Sequence, residues 1–293
     1  MAAIDTTKIT LPKEVAQGII TKSKESSVVQ TLSPSTPMMF KDMSHILFTK
    51  EPEAEFVGEG KQKGGAGAEF KPVAGKIHKA QVTVRMTDEV KWADEDSQLG
   101  IVDAIIDASA RAVGRALDYG VIHAINPATG TAVEDMTALV SGASEVAATA
   151  DALADLDSLV AACNEEYDVT GLALSKKWAN SLRKLRVKNT GVRQFPEIPL
   201  NLQPGTVDGI PAATSSTVNG KLAASPTKVL ALLGDFGLVK WGIVRDLGLE
   251  IIETGDPDGL GDLKRLNQIA YRTEVVYSWA VLDPKGFAVL KSA

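Results

Sequence analysis

The stretch that most constrains this fold runs from Ser97 to Ile125, SQLGIVDAIIDASARAVGRALDYGVIHAI. Val102, Ile105, Ile106, Ser109, Val113, Ala116, Leu117 and Gly120 recur at spacings of three and four, the stripe of an amphipathic helix. Asp103, Asp107, Arg111, Arg115 and Asp118 fall on the other face, and Asp107 precedes Arg111 in the favourable i,i+4 order. At about 1.5 Å per residue, a helix over 97–125 is a rod of about 42 Å. That is long for a compact domain in a chain of 293 residues. Asn126-Pro127 and the ATGT after them stop it.

What precedes the rod reads as extended. Residues 1–48 look like an arm: a short helix over PKEVAQGIITKSKES, breaks at Pro34 and Pro37, then a strand over MMFKDMSHILF. Little in the arm can form a core alone, so it is expected to lie on something else. Residues 49–90 read as a long hairpin. Its outgoing limb is EPEAEFVGEG, its tip is GEGKQKGGAGAEFKP, and its return limb is GKIHKAQVTVRMTDEV, where Ile77, Val82, Val84 and Met86 nearly alternate with polar residues. Residues 138–265 read as an α/β unit. They hold a helix over SEVAATADALADLDSLVAACNEEY, a strand GLALS, and a helix KKWANSLRKLRVKN capped by Ser175. Short strands follow over TVDGIPAATSSTV, KVLALLGDF and LVKWGIVRDLGLEIIE. The last block, NQIAYRTEVVYSWAVLDPKGFAVL, gives two strands joined by the turn Asp283–Gly286.

Motifs for chemistry were tested against their contexts. Gly64, Gly65 and Gly67 at the hairpin tip lead into AEFKP and a strand. A phosphate loop needs a Lys-Ser/Thr pair at a helix start, and a dinucleotide fingerprint needs strand, turn and helix. Asp235-Phe236-Gly237 matches a kinase metal motif without its companion motifs and reads as a turn between strands. Asp256, Asp258 and Asp262 in GDPDGLGDL lack the remaining ligands of a calcium loop and read as a solvated loop. His45, His78 and His123 lie far apart in sequence and without metal spacing. The basic segment KKWANSLRKLRVK is explained as the wet face of its helix. No catalytic, cofactor-binding or metal-binding residue is expected.

Composition narrows the remaining classes. With 31 basic and 37 acidic residues the net charge is -6, a poor match to a dedicated nucleic-acid binder, though not to a wall that encloses nucleic acid. Aromatic residues make up only 5% and do not interleave with a basic cluster, as single-strand binders require. The one cysteine, Cys163, sits in a helical pattern and reads as a small buried apolar side chain; a chain with one cysteine forms no internal disulfide. No stretch reaches the roughly 20 uninterrupted apolar residues of a membrane span, so no membrane partner is expected. The charged glycine-rich tip is therefore expected to meet another subunit. Glu59, Lys61, Lys63, Glu69, Phe70 and Lys71 are the candidate contact residues.

In this order the elements resemble the major capsid proteins of tailed bacteriophages, the Hong Kong 97-like family. Three blocks carry the likeness and together span nearly the whole chain. EAEFVGEGKQKGGAGAEFKPVAGKIHKAQVTVRMTDEV is similar to the family's extended loop and long strand, and SQLGIVDAIIDASARAVGRALDYGVIHAINPATGT to its spine helix. VDGIPAATSSTV, VLALLGDFGLVKWGIVRDLGLEI and NQIAYRTEVVYSWAVLDPKGFAVL are similar to its later strands. The resemblance implies an α+β Hong Kong 97-like capsid fold. Its parts are an N-terminal arm at 1–48, an extended loop at 49–80, a peripheral domain at 81–137 and 266–293 with the spine helix at 97–125, and an axial domain at 138–265.

The same resemblance implies a structural role. The chain self-assembles as hexamers and pentamers into an icosahedral shell around double-stranded DNA, without specific recognition of it and without a cofactor. It implies portal, scaffolding and decoration proteins as partners, a place in the virion, and assembly in the host cytoplasm. An encapsulin, a bacterial compartment shell of the same fold, is the alternative. Some family members begin with a cleaved scaffolding segment; here the sequence enters the arm at once, so scaffolding is expected to be separate, absent or already removed. Some members join a loop lysine to an asparagine of another subunit. Lys61, Lys63 and Lys71 supply the first partner, but Asn267 stands before the first strand of its block, and no crosslink is expected.

Overall fold

Two β-sheets divide the chain, and the helices fill the space around them. The structure, a computed structural model, describes residues 27–35, 43–50, 52–97, 100–163 and 167–292. In chain order its elements are α1 (Val28–Leu32), β1 (Met43–Lys50), β2 (Glu69–Thr87), α2 (Asp88–Ser97), α3 (Ile101–Asp118), a π-helical turn (Tyr119–His123), α4 (Leu139–Gly142) and β3 (Ser144–Ala147). Then come α5 (Ala152–Ala162), β4 (Gly171–Leu174), α6 (Lys176–Lys184), β5 (Thr206–Val207), β6 (Ile210–Thr214), β7 (Val229–Gly234), β8 (Val239–Ile252), β9 (Gln268–Val281) and β10 (Phe287–Lys291). One sheet has the order β1-β2-β9-β8, the other β3-β10-β7-β4-β6-β5.

Asp94 decides where the long helix starts. Its carboxylate accepts the N–H groups of Ile101, at 2.8 Å, and Val102, at 3.1 Å, two of the donors that a helix N-terminus leaves open. Gly100 turns the chain into position with φ +67°. The rod expected over 97–125 is therefore α3, extended by the π-turn to His123, and α2 is a separate helix ahead of it that the sequence reading did not expect. Ala124 at φ 53° ends it, just ahead of the expected stop. The stripe holds: Ile101, Ser109, Val113 and Leu117 are buried, and Asp107 meets Arg111 at 3.8 Å. Asp118, assigned to the wet face, is instead fully buried.

The six-stranded sheet is packed on both faces, and alternation along its strands sorts the side chains. Phe287 and Val289 of β10 face a core with Val113, Leu117, Ile122 and Phe236, where the rings of Phe236 and Phe287 meet edge-on at 5.4 Å. Ala288 and Leu290 face a second core under α5 and α6, with Leu159, Leu172, Trp178 and Leu182. Each such side chain contributes about 1.5–3 kcal/mol by burial. Ser175 caps α6 as expected, accepting the Trp178 N–H at 3.4 Å. A smaller core of Met86, Val90, Ile101, Ile269 and Tyr271 seats α2 on the four-stranded sheet.

Several expectations are corrected. SEVA, read as the start of a helix, is strand β3, parallel to β10, with α5 beginning only after the Asp151 cap. Of the expected outgoing limb, the described residues 52–60 make no strand; the hairpin pairs β1 with residues 69–75 of β2, and residues 52–68 lie in the loop between them. Ser27, Val28, Val29 and Ser33 of the expected arm are buried in the chain's own core, with Val28 and Val29 about 1% exposed, because Asp118 and β8 hold them. The expected helix over 12–26 lies outside the described residues. Finally, the sheets do not follow a boundary at 265/266. β8 pairs with β9 in the four-stranded sheet, and β10 pairs with β7 in the six-stranded one. The turn at 283–286 thus carries the chain from one sheet to the other, beside the β7–β8 crossing at 235–238. Asp235 N–H donates to Gly286 O at 3.1 Å and Leu282 N–H to Leu238 O at 2.9 Å, so the two crossings are tied together. Gly234 is required there, since a Cβ would sit 2.3 Å from Gly286 O.

Candidate assembly surface

β2 is 19 residues long and does two jobs. Residues 76–87 pair with β9 inside the sheet, while residues 69–75 pair only with β1 and carry the hairpin away from the core. At about 3.3 Å per residue the strand spans about 60 Å. All six candidate contact residues lie on this hairpin and all are exposed. Glu59, Lys61 and Lys63 are in the loop. Glu69, Phe70 and Lys71 open β2, opposite Lys50, Phe48 and Leu47. The loop has two internal ties: Lys61 N–H donates to Gly58 O at 3.1 Å, and the Glu55 carboxylate accepts the Gly64 N–H. Gly64 leaves room for that carboxylate, whose oxygens a Cβ would approach to 2.8 Å.

The sequence reading passed over the most exposed apolar side chains here. Phe56 is fully exposed and Ile46 is 67% exposed. The signal was in EAEFVGEG, where an aromatic stands among glutamates and glycines in a stretch with no helical or strand period. A large apolar side chain held out in water on a projecting loop is suited to meeting another surface.

Asp118 anchors the segment that precedes the hairpin. Its carboxylate accepts from Ser27 Oγ at 2.5 Å, Thr217 Oγ1 at 2.6 Å, Val28 N–H at 2.9 Å and Val29 N–H at 3.0 Å. Burial pushes this carboxyl above the ordinary carboxylate range, against the four hydrogen bonds that favour the anion. Ser33 Oγ donates to Val239 O at 2.7 Å, and Trp241 Nε1 donates to Ser33 O at 3.0 Å. The chain thus leaves residue 33 from a fixed point on β8.

All three loop aspartates have a structural task, and Asp262 accepts the Arg265 N–H at 3.0 Å. The buried Arg85 guanidinium donates to Asp256 at 2.8 Å and to Gly261 O at 2.9 Å, and also pairs with Asp258. Arg272 donates to Pro257 O at 2.7 Å. The β8–β9 loop is therefore clipped to β2 and β9 rather than simply solvated. Asp235 caps its turn by accepting the Gly237 N–H at 2.8 Å.

The histidines sit on three elements. His45 is on β1; His78 on β2 stacks on Trp279 at 4.3 Å; His123 ends the π-turn with Nε2 2.9 Å from Thr217 O. Burial holds all three below their ordinary value. A cleft of about 230 Å³ beside His78 is lined by Lys76, Asp135, Met136 and Trp279. There Lys76 Nζ donates to Asp135 O at 3.0 Å, holding the 134–139 segment to β2. Among the described residues no group of three or more His, Cys, Asp or Glu side chains could hold a metal. Cys163 is half-buried at the end of α5, its thiol pushed up by burial.

A family model described as the phage capsid family matches residues 7–292. Among solved structures, a chain from Mycobacterium phage Ogopogo is 35% identical, with a TM-score of 0.83 and 100% of each chain covered. One from Gordonia phage Cozz is 31% identical, with a TM-score of 0.81, covering 98% of this chain and 92% of that one. A structure titled "Capsid of empty GTA particle computed with C5 symmetry" shares the fold at 14% identity and a TM-score of 0.64, covering 98% and 97%. The comparison with curated proteins found no match.

Proposed function

This chain belongs to the phage capsid family, and from that premise we propose that it assembles as hexamers and pentamers into an icosahedral shell enclosing double-stranded DNA. Its fold is the Hong Kong 97-like capsid fold, and its role in the virion is structural rather than catalytic. The observation that carries the proposal is the hairpin of β1 and β2. Residues 52–68 are exposed throughout, bear both signs of charge and present Phe56 to water, a form that is costly for a lone subunit and useful to one of many.

In this reading the four-stranded sheet with α3 is the peripheral part of the subunit. The six-stranded sheet with α5 and α6 is the axial part, which meets its copies at the five-fold and six-fold centres. The net charge of -6 suits a wall that holds DNA without gripping it. Assembly takes place in the host cytoplasm with portal and scaffolding partners. Electron microscopy of the expressed chain tests the proposal. Closed polyhedral particles, and DNA in particles from infected cells, are expected. A stable monomer at high concentration counts against assembly, and particles filled with protein cargo point to an encapsulin instead. Subunits are expected to separate fully in boiling denaturant, since no loop lysine is expected to be joined to Asn267.

A further inference from the structure

The basic segment after β4 is only half explained as the wet face of a helix. α6 ends at Lys184, so it carries Lys176, Lys177, Arg183 and Lys184, while Arg186, Lys188 and Arg193 lie beyond it. These seven cations fall in a run, 169–196, that contains no Asp or Glu. Taking seven from the 31 basic residues leaves 24 against 37 acidic ones, a net charge of -13 for the rest. The run is a basic island on an acidic molecule.

Past α6 the chain makes a small hairpin. Arg186 pairs with Arg193, and Val187 N–H donates to Val192 O at 2.8 Å. Asn189 at φ 76° and Gly191 at φ 69° make the turn. Alternation puts Arg186, Lys188 and Arg193 on one face and the exposed Val187 and Val192 on the other. Like charges directly opposite in a ladder are unfavourable. The chain orients these guanidiniums without neutralising them. Arg186 Nη1 donates to Arg183 O and Leu185 O, both at 3.0 Å, and Arg193 Nη1 donates to Ile198 O at 3.4 Å. Arg183 Nη2 donates to Asn180 Oδ1 at 3.4 Å. Among the described residues no carboxylate pairs with Lys177, Arg183, Lys184, Arg186, Lys188 or Arg193. Crowded cations, held in place and without a counter-ion, are suited to phosphate groups.

Resting on the capsid reading, we infer that the end of α6 and the 186–193 hairpin form the patch where the wall touches the phosphate backbone of its enclosed duplex DNA. Lys177 and Lys184 stand about 10 Å apart along the α6 axis, and the hairpin continues beyond them. The cations therefore form a strip rather than a socket. A strip fits a line of phosphates, which duplex DNA supplies at one charge per about 1.7 Å of its axis. Contacts of this kind read no sequence. The acidic remainder of the chain confines them to this one place.

The test uses the full chain and fluorescence anisotropy with two labelled duplexes of unrelated sequence. Equal affinities are expected, with a slope of log K against log salt of about -5 from the six unpaired cations. Arg186→Gln, Lys188→Gln and Arg193→Gln together are expected to reduce that slope by about 3 and to weaken binding about ten-fold or more at low salt. Arg186→Lys with Arg193→Lys keeps the slope, and so does the equal charge loss Lys61→Gln, Lys63→Gln and Lys71→Gln on the long hairpin. No binding by the wild-type chain, equal weakening by the Lys61, Lys63 and Lys71 changes, or equal binding of poly-glutamate overturns the patch. Displacement of the duplex by tripolyphosphate at the same phosphate concentration shows a compact-anion socket and also overturns it. In a second arm, Thr190→p-benzoylphenylalanine at the hairpin tip is irradiated in DNA-filled particles, and nucleotide adducts on the 186–193 peptide are expected. Particles that hold DNA and give no adduct overturn the patch and leave the capsid reading standing. If the chain makes no particles, that reading fails, and the anisotropy series decides the patch alone.

Discussion

Asp118 is the residue whose replacement tells most. A buried carboxylate holding four donors is stable only as a set, because a lost acceptor leaves buried donors without partners. Asp118→Asn is expected to cost about 2–4 kcal/mol in urea denaturation and to expose residues 27–35 to protease. The histidines give a pH dependence of definite sign. His45, His78 and His123 are all held below 6.5, so below that pH the unfolded chain takes up protons that the folded one refuses. Their stabilisation is full above 6.5 and is lost as pH falls from there toward their lowered folded values. Denaturation at pH 7.5 and 5.5 is expected to show the loss. His123→Gln, whose amide can still donate to Thr217 O, is expected to show less of it. None of this was legible in the sequence: Asp118 takes its donors from residues about 90 and 99 positions away, and its spacing alone put it on the wet face.

At the scale of elements, the π-turn closing α3 packs against β9 through Gly120. A Cβ there would lie 2.8 Å from the Trp279 ring, so Gly120→Ala is expected to cost about 1–3 kcal/mol and lower the melting temperature by a few degrees. Arg85→Met frees the β8–β9 loop. Hydrogen exchange over 255–263 is expected to speed up about ten-fold, equivalent to about 1.4 kcal/mol, while the six-stranded sheet keeps its protection. Deleting residues 53–67 removes no buried side chain and is expected to leave the circular dichroism spectrum intact while abolishing closed particles. Local signals were read well: the α3 stripe, the Ser175 cap, and the turns at 126–127 and 283–286. What was missed depends on distant partners. β3 is four residues whose only ladder is with β10, far along the chain, and α2 is too polar to show a strong stripe but is held by Val90 in the Met86 core.

For the whole molecule, the order of elements was legible and their division between sheets was not. β8 and β10 each belong to the sheet on the far side of a turn, and a turn signal says that the chain reverses without saying which sheet it joins. The candidate site was legible as a place, the hairpin tip, because charge and glycine mark it locally. That Phe56 stands fully exposed beside it needed the fold. Reversing Glu59→Lys, Lys61→Glu, Lys63→Glu and Lys71→Glu together is expected to lower particle yield most at low salt. Light scattering should show the gap from wild type narrowing as salt passes about 0.15 M, where screening acts within about 8 Å.

The paired crossings between the sheets are tied by the Asp235–Gly286 and Leu282–Leu238 bonds. They lie against a core that both sheets share, with Trp241, Tyr277 and Trp279 from one and Leu232, Phe287 and Val289 from the other. Bending one sheet against the other would pull that close-packed core apart, so the subunit is a stiff tile, and any curvature in an assembly of such tiles falls on the contacts between copies.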